Sequence, residues 1–295
     1  MSAPPQDRTR PAATTRTGHS APRRSRRPVD SVPVWLKAVG VVVAALFVLP
    51  TLVVVPMSFT AGGTFRFPPA ELSTQWYESF FTDPRWTAAV GNTVQVALTV
   101  MVLATVLGTA AAVGLSRMRS RWAGLLRATL MLPLVSPGIV IAVAVYVSYL
   151  QWRLVGTFGG YVLVHTAMAI PFVLVSVGAS LGGFDNRLLL AAQSLGATPW
   201  RAFRTVQLRL IAPGVVSGAV FAFVTSLDEV VVALFLRAPQ FETLPVRMFN
   251  SVTVEIDPTV AAASSMLVVL VTALILFPQV FRLLRRRRSN GKAMS

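Results

Sequence analysis

The sequence predicts an all-α integral membrane protein with six transmembrane helices. Of its 295 residues 54% are hydrophobic and only 13% charged, a balance that soluble domains of this size rarely reach. Apolar runs of about 20 residues, the length a helix needs to cross a bilayer, recur six times. The basic residues, finally, collect in alternate connections between those runs.

The first run, about Ala38–Met57, follows a basic tail as a signal peptide would, but it exceeds a typical leader's apolar segment and reads as an uncleaved first helix. The second covers about Thr93–Leu115, where Gly108, Gly114 and several alanines suit close helix packing. The third, Thr129–Leu150, and the fourth, Tyr161–Leu181, contain Pro133, Pro137 and Pro171, and the first contains Pro50. Membrane helices tolerate proline where neighbours re-satisfy the freed backbone groups. The fifth run is Pro213–Leu236 and the sixth Ala261–Phe281. Residues 1–33 are basic and poor in large apolar side chains, which predicts a disordered tail. Residues 34–285 form the transmembrane domain, and 286–295 form a second basic tail.

Charge sets the orientation. Eight arginines and lysines precede or open the first span, four lie around the second connection, four in the fourth and six in the C-terminal tail; the other side holds five. By the positive-inside rule both termini are cytoplasmic. The net charge of +16 is therefore mostly topology, with the lipid bilayer as partner and no nucleic acid implied. The chain has no cysteine and only His19 and His165, which excludes disulfides, thiolate chemistry and a multi-histidine metal centre. No GxxxxGK[ST] phosphate loop occurs, and no nucleophilic triad or paired-carboxylate hydrolytic site is present, so the chain does not read as an enzyme.

Between the fourth and fifth spans, about residues 184–212, lies a segment far longer than a turn. Leu188–Leu195 has helical character and ends at Gly196, a natural C-cap. Thr198-Pro199 then reads as an N-cap with proline at the first helical position. Beyond it Phe203, Val206 and Leu210 recur near helical spacing, with Arg201, Arg204 and Gln207 between them. Ala191, Ala192 and Gly196 are small enough for another surface to approach the backbone. The pattern alone fits an interfacial helix on lipid headgroups, slightly favoured, a protein-docking face, or a solvated loop.

Asp228 and Glu229 fall inside the fifth run, roughly 22 Å along a helix started at Pro213. Carboxylates at such depth usually face a cavity or a partner. Ser217, Phe221, Thr225 and Asp228 share one helical face, a partly polar stripe suited to a pathway, while a structural ion pair with Arg237 or with a partner protein is the plainer alternative. His165 has no carboxylate in evident register and is expected to hydrogen-bond a neighbouring helix, as are Asn92, Thr93 and Gln95. Trp76, Tyr77 and Trp86 suit an interfacial aromatic belt.

One family resemblance gathers these features. "AAQSLGATPWRAFRTVQLRLIAPG" resembles the cytoplasmic loop of the membrane subunits of binding-protein-dependent ABC importers: an acid-Ala-Ala start, a glycine, then hydrophobic-x-Leu-Pro. Ala191, Ala192, Gly196, Val206 and Leu208 match it, whereas Leu190 replaces the acid and Arg209 the proline. "FPPAELSTQWYESFFTDPRWTAAVGNT", "LPLVSPGIVIA" and "HTAMAIPFV" are similar to other parts of the family. "SLDEVVVALFL" and "FETLPVRMFNSV" resemble the spermidine/putrescine type in particular. The resemblance extends over about residues 34–285.

It implies the type I importer permease fold, with a cytoplasmic coupling helix formed by Ala191, Ala192, Gly196, Ala197, Arg201, Phe203, Val206 and Leu208. The expected partners are two ATPase subunits, which use ATP and Mg²⁺ where this chain binds no cofactor, a second homologous permease, and an extracytoplasmic solute-binding protein. The expected place is the bacterial inner membrane. The expected function is passage of a small cationic solute along a pathway that includes Thr225, Asp228 and Glu229. The competing expectation is an ion-coupled secondary transporter using the same acids, although no inverted repeat is evident.

Overall fold

The computed structural model describes residues 33–63, 67–254 and 256–274. The expected tails at 1–33 and 286–295 lie outside these residues apart from Pro33. Within them the ordered elements are helices: α1 (Val34–Met57), α2 (Gln75–Thr82), α3 (Pro84–Arg117), α4 (Trp122–Val135), α5 (Gly138–Trp152), α6 (Phe158–Gly182), α7 (Arg187–Ser194), α8 (Pro199–Ala202), α9 (Leu208–Leu227), α10 (Val231–Leu236) and α11 (Leu244–Thr253), then α12 (Thr259–Leu274). The chain divides after Val48 into two units. α1 runs across that division, and the helices from α2 onward all belong to the second unit.

α3, α6 and α9 form the core. Each is apolar and long enough to span a bilayer, and they pack on one another through small residues. Val173 of α6 is fully buried between Gly108 of α3 and Gly218 of α9. A Cβ added at Gly108 would stand 2.7 Å from the Val173 Cβ, and one at Gly218 would stand 3.1 Å from its Cα. Two glycines thus let three helix backbones meet at one valine. Gly114, by contrast, faces open space, so its expected packing role is not realised.

The third span is not one helix. α4 and α5 are bent by 101° at Ser136-Pro137. Proline disfavours helical geometry in the residue before it, and Ser136 is extended (φ −74°, ψ 137°). Pro133, in the same run, stays inside α4. The second span is longer than expected, because Asp83 accepts a hydrogen bond from the Arg85 N–H and Pro84 occupies the first turn, so the helix starts nine residues before Thr93. Of the sixth span, Thr259–Leu274 is helical and residues beyond 274 lie outside those described.

A second, smaller core closes the end of the bundle at which α3 begins. Trp86 is fully buried among Phe80, Leu244, Val260 and Ala263. Its Nε1–H donates to Asp257 Oδ2 (3.1 Å), and the Arg247 guanidinium lies 5.5 Å from its ring centroid. Trp86 is therefore not a lipid-belt residue. Trp76 donates to the Thr60 carbonyl (2.8 Å) and the Tyr77 hydroxyl meets Ser58 Oγ at 2.6 Å, so both tie the loop internally. Asn92 and Thr93 bond the backbone of Glu242 and Leu244, as expected of inter-helix polar contacts, whereas Gln95 is exposed.

Candidate functional site

Two places in the second unit collect the residues singled out by the sequence. The first is the expected coupling segment. α7 ends in a Schellman motif: the Gly196 N–H donates to the Gln193 carbonyl (2.9 Å) and the Ala197 N–H to that of Ala192 (3.0 Å). This closure needs a left-handed residue, and Gly196 has φ +85°. Thr198 Oγ1 accepts from the Arg201 N–H (3.3 Å), so α8 starts where the Thr-Pro pair predicts.

Beyond α8 the structure differs from expectation. The helix does not stop before the fifth span. It passes through a π-helical turn, Phe203–Gln207, directly into α9, so residues 199–227 form one continuous helical run. A displacement of α8 is thereby linked to α9 without an intervening loop. Gln207, which falls between the apolar positions of the segment, is buried, and its Oε1 accepts a hydrogen bond from Arg117 Nη2 at 2.6 Å. π-turns of this kind often mark functional sites.

The segment exposes large apolar side chains beside its arginines. Leu190 is 63% exposed, Leu195 89% and Trp200 70%, and Trp200 stacks on Phe203 with ring centroids 5.4 Å apart. Ala191, Gly196 and Arg201 are exposed; Ala192, Ala197, Phe203, Val206 and Leu208 are half-buried. Leu190, which stands where the resembling family has an acid, extends this apolar face.

The second place is the fifth span, where the expected single helix is also corrected. α9 ends at Leu227, Asp228 is its C-cap, and α10 starts only at Val231. Asp228 and Glu229 thus occupy a break between two helices, and the two acids have different surroundings. The Glu229 carboxylate accepts the N–H groups of Val232 and Ala233, each at 2.9 Å. These are orphan donors of the first turn of α10, and the side chain satisfies them. Its Oε2 lies 3.7 Å from His165 Nε2, with side-chain exposures of 8% and 1% for the two residues. His165 Nδ1 hydrogen-bonds Ser226 Oγ (2.9 Å). His165 thus bonds a neighbouring helix, as its sequence context predicts, yet it also has a carboxylate neighbour that linear register does not reveal.

Asp228 is exposed; its backbone N–H donates to the Val224 carbonyl (3.0 Å), but its carboxylate has no hydrogen-bond or ion-pair partner among the described residues. It lines an open cavity of about 430 Å³ together with Val224, Thr225, Glu229, Val230 and Val231. Thr225, Asp228 and Glu229 are therefore brought together. Along the stripe Phe221 is exposed while Ser217 and Thr225 are half-buried, flanking the buried Gly214, Gly218 and Ala222. Arg237, the alternative partner for either acid, donates to Asn250 Oδ1 (2.8 Å).

Sequence reasoning missed the Arg117–Gln207 bond, Ser226, Tyr161 and the contacts that join Trp86, Asp257 and Arg247. Tyr161 is buried beside His165 and donates to the Ala233 carbonyl (3.2 Å). A signal existed only for Asp257, whose Asp-Pro-Thr sequence is a helix start; its Oδ1 accepts from the Thr259 N–H (2.9 Å).

A polytopic helical bundle with broken third and fifth spans, a free carboxylate at one break and an exposed apolar helix pair at one end defines a membrane transport component. Residues 104–289 match the family model described as binding-protein-dependent transport system inner membrane component. The chain is 33% identical over 239 residues to the spermidine/putrescine transport system permease protein PotC of Haemophilus influenzae, covering 81% of this chain and 93% of that protein. It is 30% identical over 202 residues to the putrescine transport system permease protein PotI of Escherichia coli K12, covering 66% and 72%. The fold is shared with a bacterial alginate ABC transporter, solved in complex with an alginate pentasaccharide-bound periplasmic protein: TM-score 0.62, 16% identity, 83% of this chain and 91% of that one.

The chain belongs to the inner-membrane components of binding-protein-dependent transport systems. It is a multi-pass permease subunit of an ATP-driven importer; hydrolysis is the work of a separate subunit, and the ion-coupled alternative finds no support in its relatives.

Proposed function

We propose that this permease passes a small cationic solute of the spermidine/putrescine class, with Asp228 as the pathway carboxylate. The observation that carries this is the unpartnered Asp228 beside Thr225 on the cavity at the α9–α10 break, in a chain 33% identical to a spermidine/putrescine permease. A polyamine presents N–H donors on positive charges, and charge-assisted bonds to carboxylate are the strongest a side chain can offer it. Glu229 contributes indirectly, by holding the start of α10 and so the shape of the break.

In this reading the protein sits in the bacterial inner membrane with both termini cytoplasmic. It works beside a second homologous permease and receives solute from an extracytoplasmic binding protein. Separate ATPase subunits, which use ATP and Mg²⁺, dock on Ala191, Ala192, Gly196, Ala197, Arg201 and the apolar side chains around them. Phe203, Val206 and Leu208 lead from that surface into α9. ATPase closure would push α7–α8, and the uninterrupted helix to Leu227 would carry the push to the break beside Asp228.

The test is purification of the chain with its co-encoded subunits, then uptake of labelled spermidine by reconstituted vesicles. Ala191→Arg, at an exposed position, is expected to lose the ATPase from the complex with the fold intact. Asp228→Asn is expected to keep the complex and its basal ATP hydrolysis while losing most uptake. Full ATPase retention by Ala191→Arg overturns the docking assignment, and full spermidine uptake by Asp228→Asn overturns the pathway assignment.

A further inference from the structure

A second cavity, of about 410 Å³, opens between α3, α4 and α6 at the end of the bundle where the coupling segment lies. Apart from Ser116 and Arg127 its lining side chains are apolar, among them Met131 of α4, and Leu174 and Val175 of α6, together with Gly178. A Cβ added at Gly178 or Gly182 meets nothing within 4 Å, so the glycines leave a groove. Arg127 also lines it and is exposed; it has neither a hydrogen bond nor an ion pair among the described residues.

Depth and charge together narrow the occupant. Trp122, exposed at the start of α4 with the Arg121 guanidinium 5.8 Å from its ring centroid, has the character of an interfacial anchor. Arg127 lies five residues further, roughly 7.5 Å along the helix, and its long side chain can reach back toward the surface. That is the level at which headgroup phosphates meet acyl chains. A free guanidinium there would repel a cationic solute, which separates this cleft from the proposed pathway at Asp228. It matches a phosphate instead, bidentately. An apolar groove continuing from that phosphate level accepts an acyl chain.

We propose that the α3–α4–α6 cleft binds an anionic phospholipid, its phosphate on Arg127 and one acyl chain along Met131, Leu174, Val175 and Gly178. The lipid would fill the space between the broken third span and the core helix α6.

Native mass spectrometry of the full-length protein in detergent tests this, after equilibration with equal amounts of phosphatidylglycerol and phosphatidylcholine of identical chains. The wild type is expected to retain phosphatidylglycerol preferentially. Arg127→Gln is expected to lower that retention about five-fold, the effect of one interfacial cation, and Arg127→Lys to restore part of it, the charge without the bidentate geometry. Gly178→Leu, which fills the groove, is expected to lower retention of both lipids. Arg119→Gln, outside the cleft, is expected to change nothing. Equal retention of the two lipids by the wild type, or unchanged retention in Arg127→Gln, overturns the proposal. Displacement by glycerol phosphate alone would make the site a phosphate site and overturn the lipid assignment. If Gly178→Leu, purified with its co-encoded subunits, loses the partner permease while its lipid retention stays intact, the cleft is a subunit contact and the proposal is overturned equally.

Discussion

Arg117, the last residue of α3, donates from Nη2 to the Oε1 of Gln207 at 2.6 Å, and Gln207 is buried in the π-turn that joins α8 to α9. The end of one core helix is thus fastened to the segment through which the proposed coupling push enters another. A polar side chain buried at this point is costly unless it is paired, so the pair acts as a unit.

Arg117→Ala leaves the Gln207 amide oxygen buried without this partner, which costs about 1–3 kcal/mol. Gln207→Leu removes the polar group as well and is expected to be closer to neutral for stability. Thermal unfolding should rank the two in that order. In reconstituted vesicles both should lower solute uptake per ATP hydrolysed, because both release α3 from the π-turn. Unchanged coupling in both variants would leave the contact a purely structural one.

Asp228 and Glu229 should separate cleanly. Glu229→Leu removes the acceptor for two backbone N–H groups of α10 and is expected to destabilise by about 1–2 kcal/mol, the scale of a lost helix cap. Asp228→Asn should leave the unfolding midpoint within about 0.5 kcal/mol, as is usual for an exposed substitution, while uptake falls. A midpoint shift for Asp228→Asn as large as that for Glu229→Leu would contradict the division of roles.

Gly218→Leu drives a side chain against the Val173 backbone, where even a Cβ would stand 3.1 Å away. Overpacking of this kind costs about 1–3 kcal/mol. Gly114→Leu, facing open space, should cost far less. Detergent-resistance or thermal-unfolding curves of the two variants compare the sites directly.

Trp86→Phe keeps the buried ring volume largely in place but deletes the bond to Asp257. The expected loss is about 1 kcal/mol, seen as faster amide exchange at the start of α12, where Asp257 also holds the Thr259 N–H.

At the start of α3, the hydrogen bonds and charge of Arg85 hold the Asp83 carboxyl below its ordinary pKa. A depressed folded-state pKa gives a contribution fully present above the ordinary carboxylate value and lost as pH falls through the folded-state one. The group is largely solvated, so the effect is local. The protection factor of the Arg85 amide, taken against its intrinsic exchange rate at each pH, should fall on acidification below the ordinary carboxylate range, and Asp83→Asn should weaken that dependence.

Much of this molecule is legible from local sequence. Apolar run length marks a helical protein with several spans, and the Gly196 and Thr198-Pro199 signals give the end of α7 and the start of α8, because capping is decided by residues within one turn. The breaks are less legible. Pro133 and Pro137 look alike in a sequence, yet only the Ser136-Pro137 step breaks the helix, because which proline's freed backbone groups find partners depends on the helices packed around it. The α9–α10 break has no proline at all. It exists where Glu229 turns back on α10 and where His165, Ser226 and Tyr161 meet from two different helices.

The sequence by itself determined that this chain is an all-α membrane protein with a long, two-helix segment before its fifth span, because hydropathy and helix caps are one-dimensional signals. Only the tertiary structure decided which of two adjacent acids is free. Asp228 and Glu229 are neighbours of the same chemistry in the chain; packing alone turns one carboxylate onto backbone donors beside His165 and leaves the other open to the cavity.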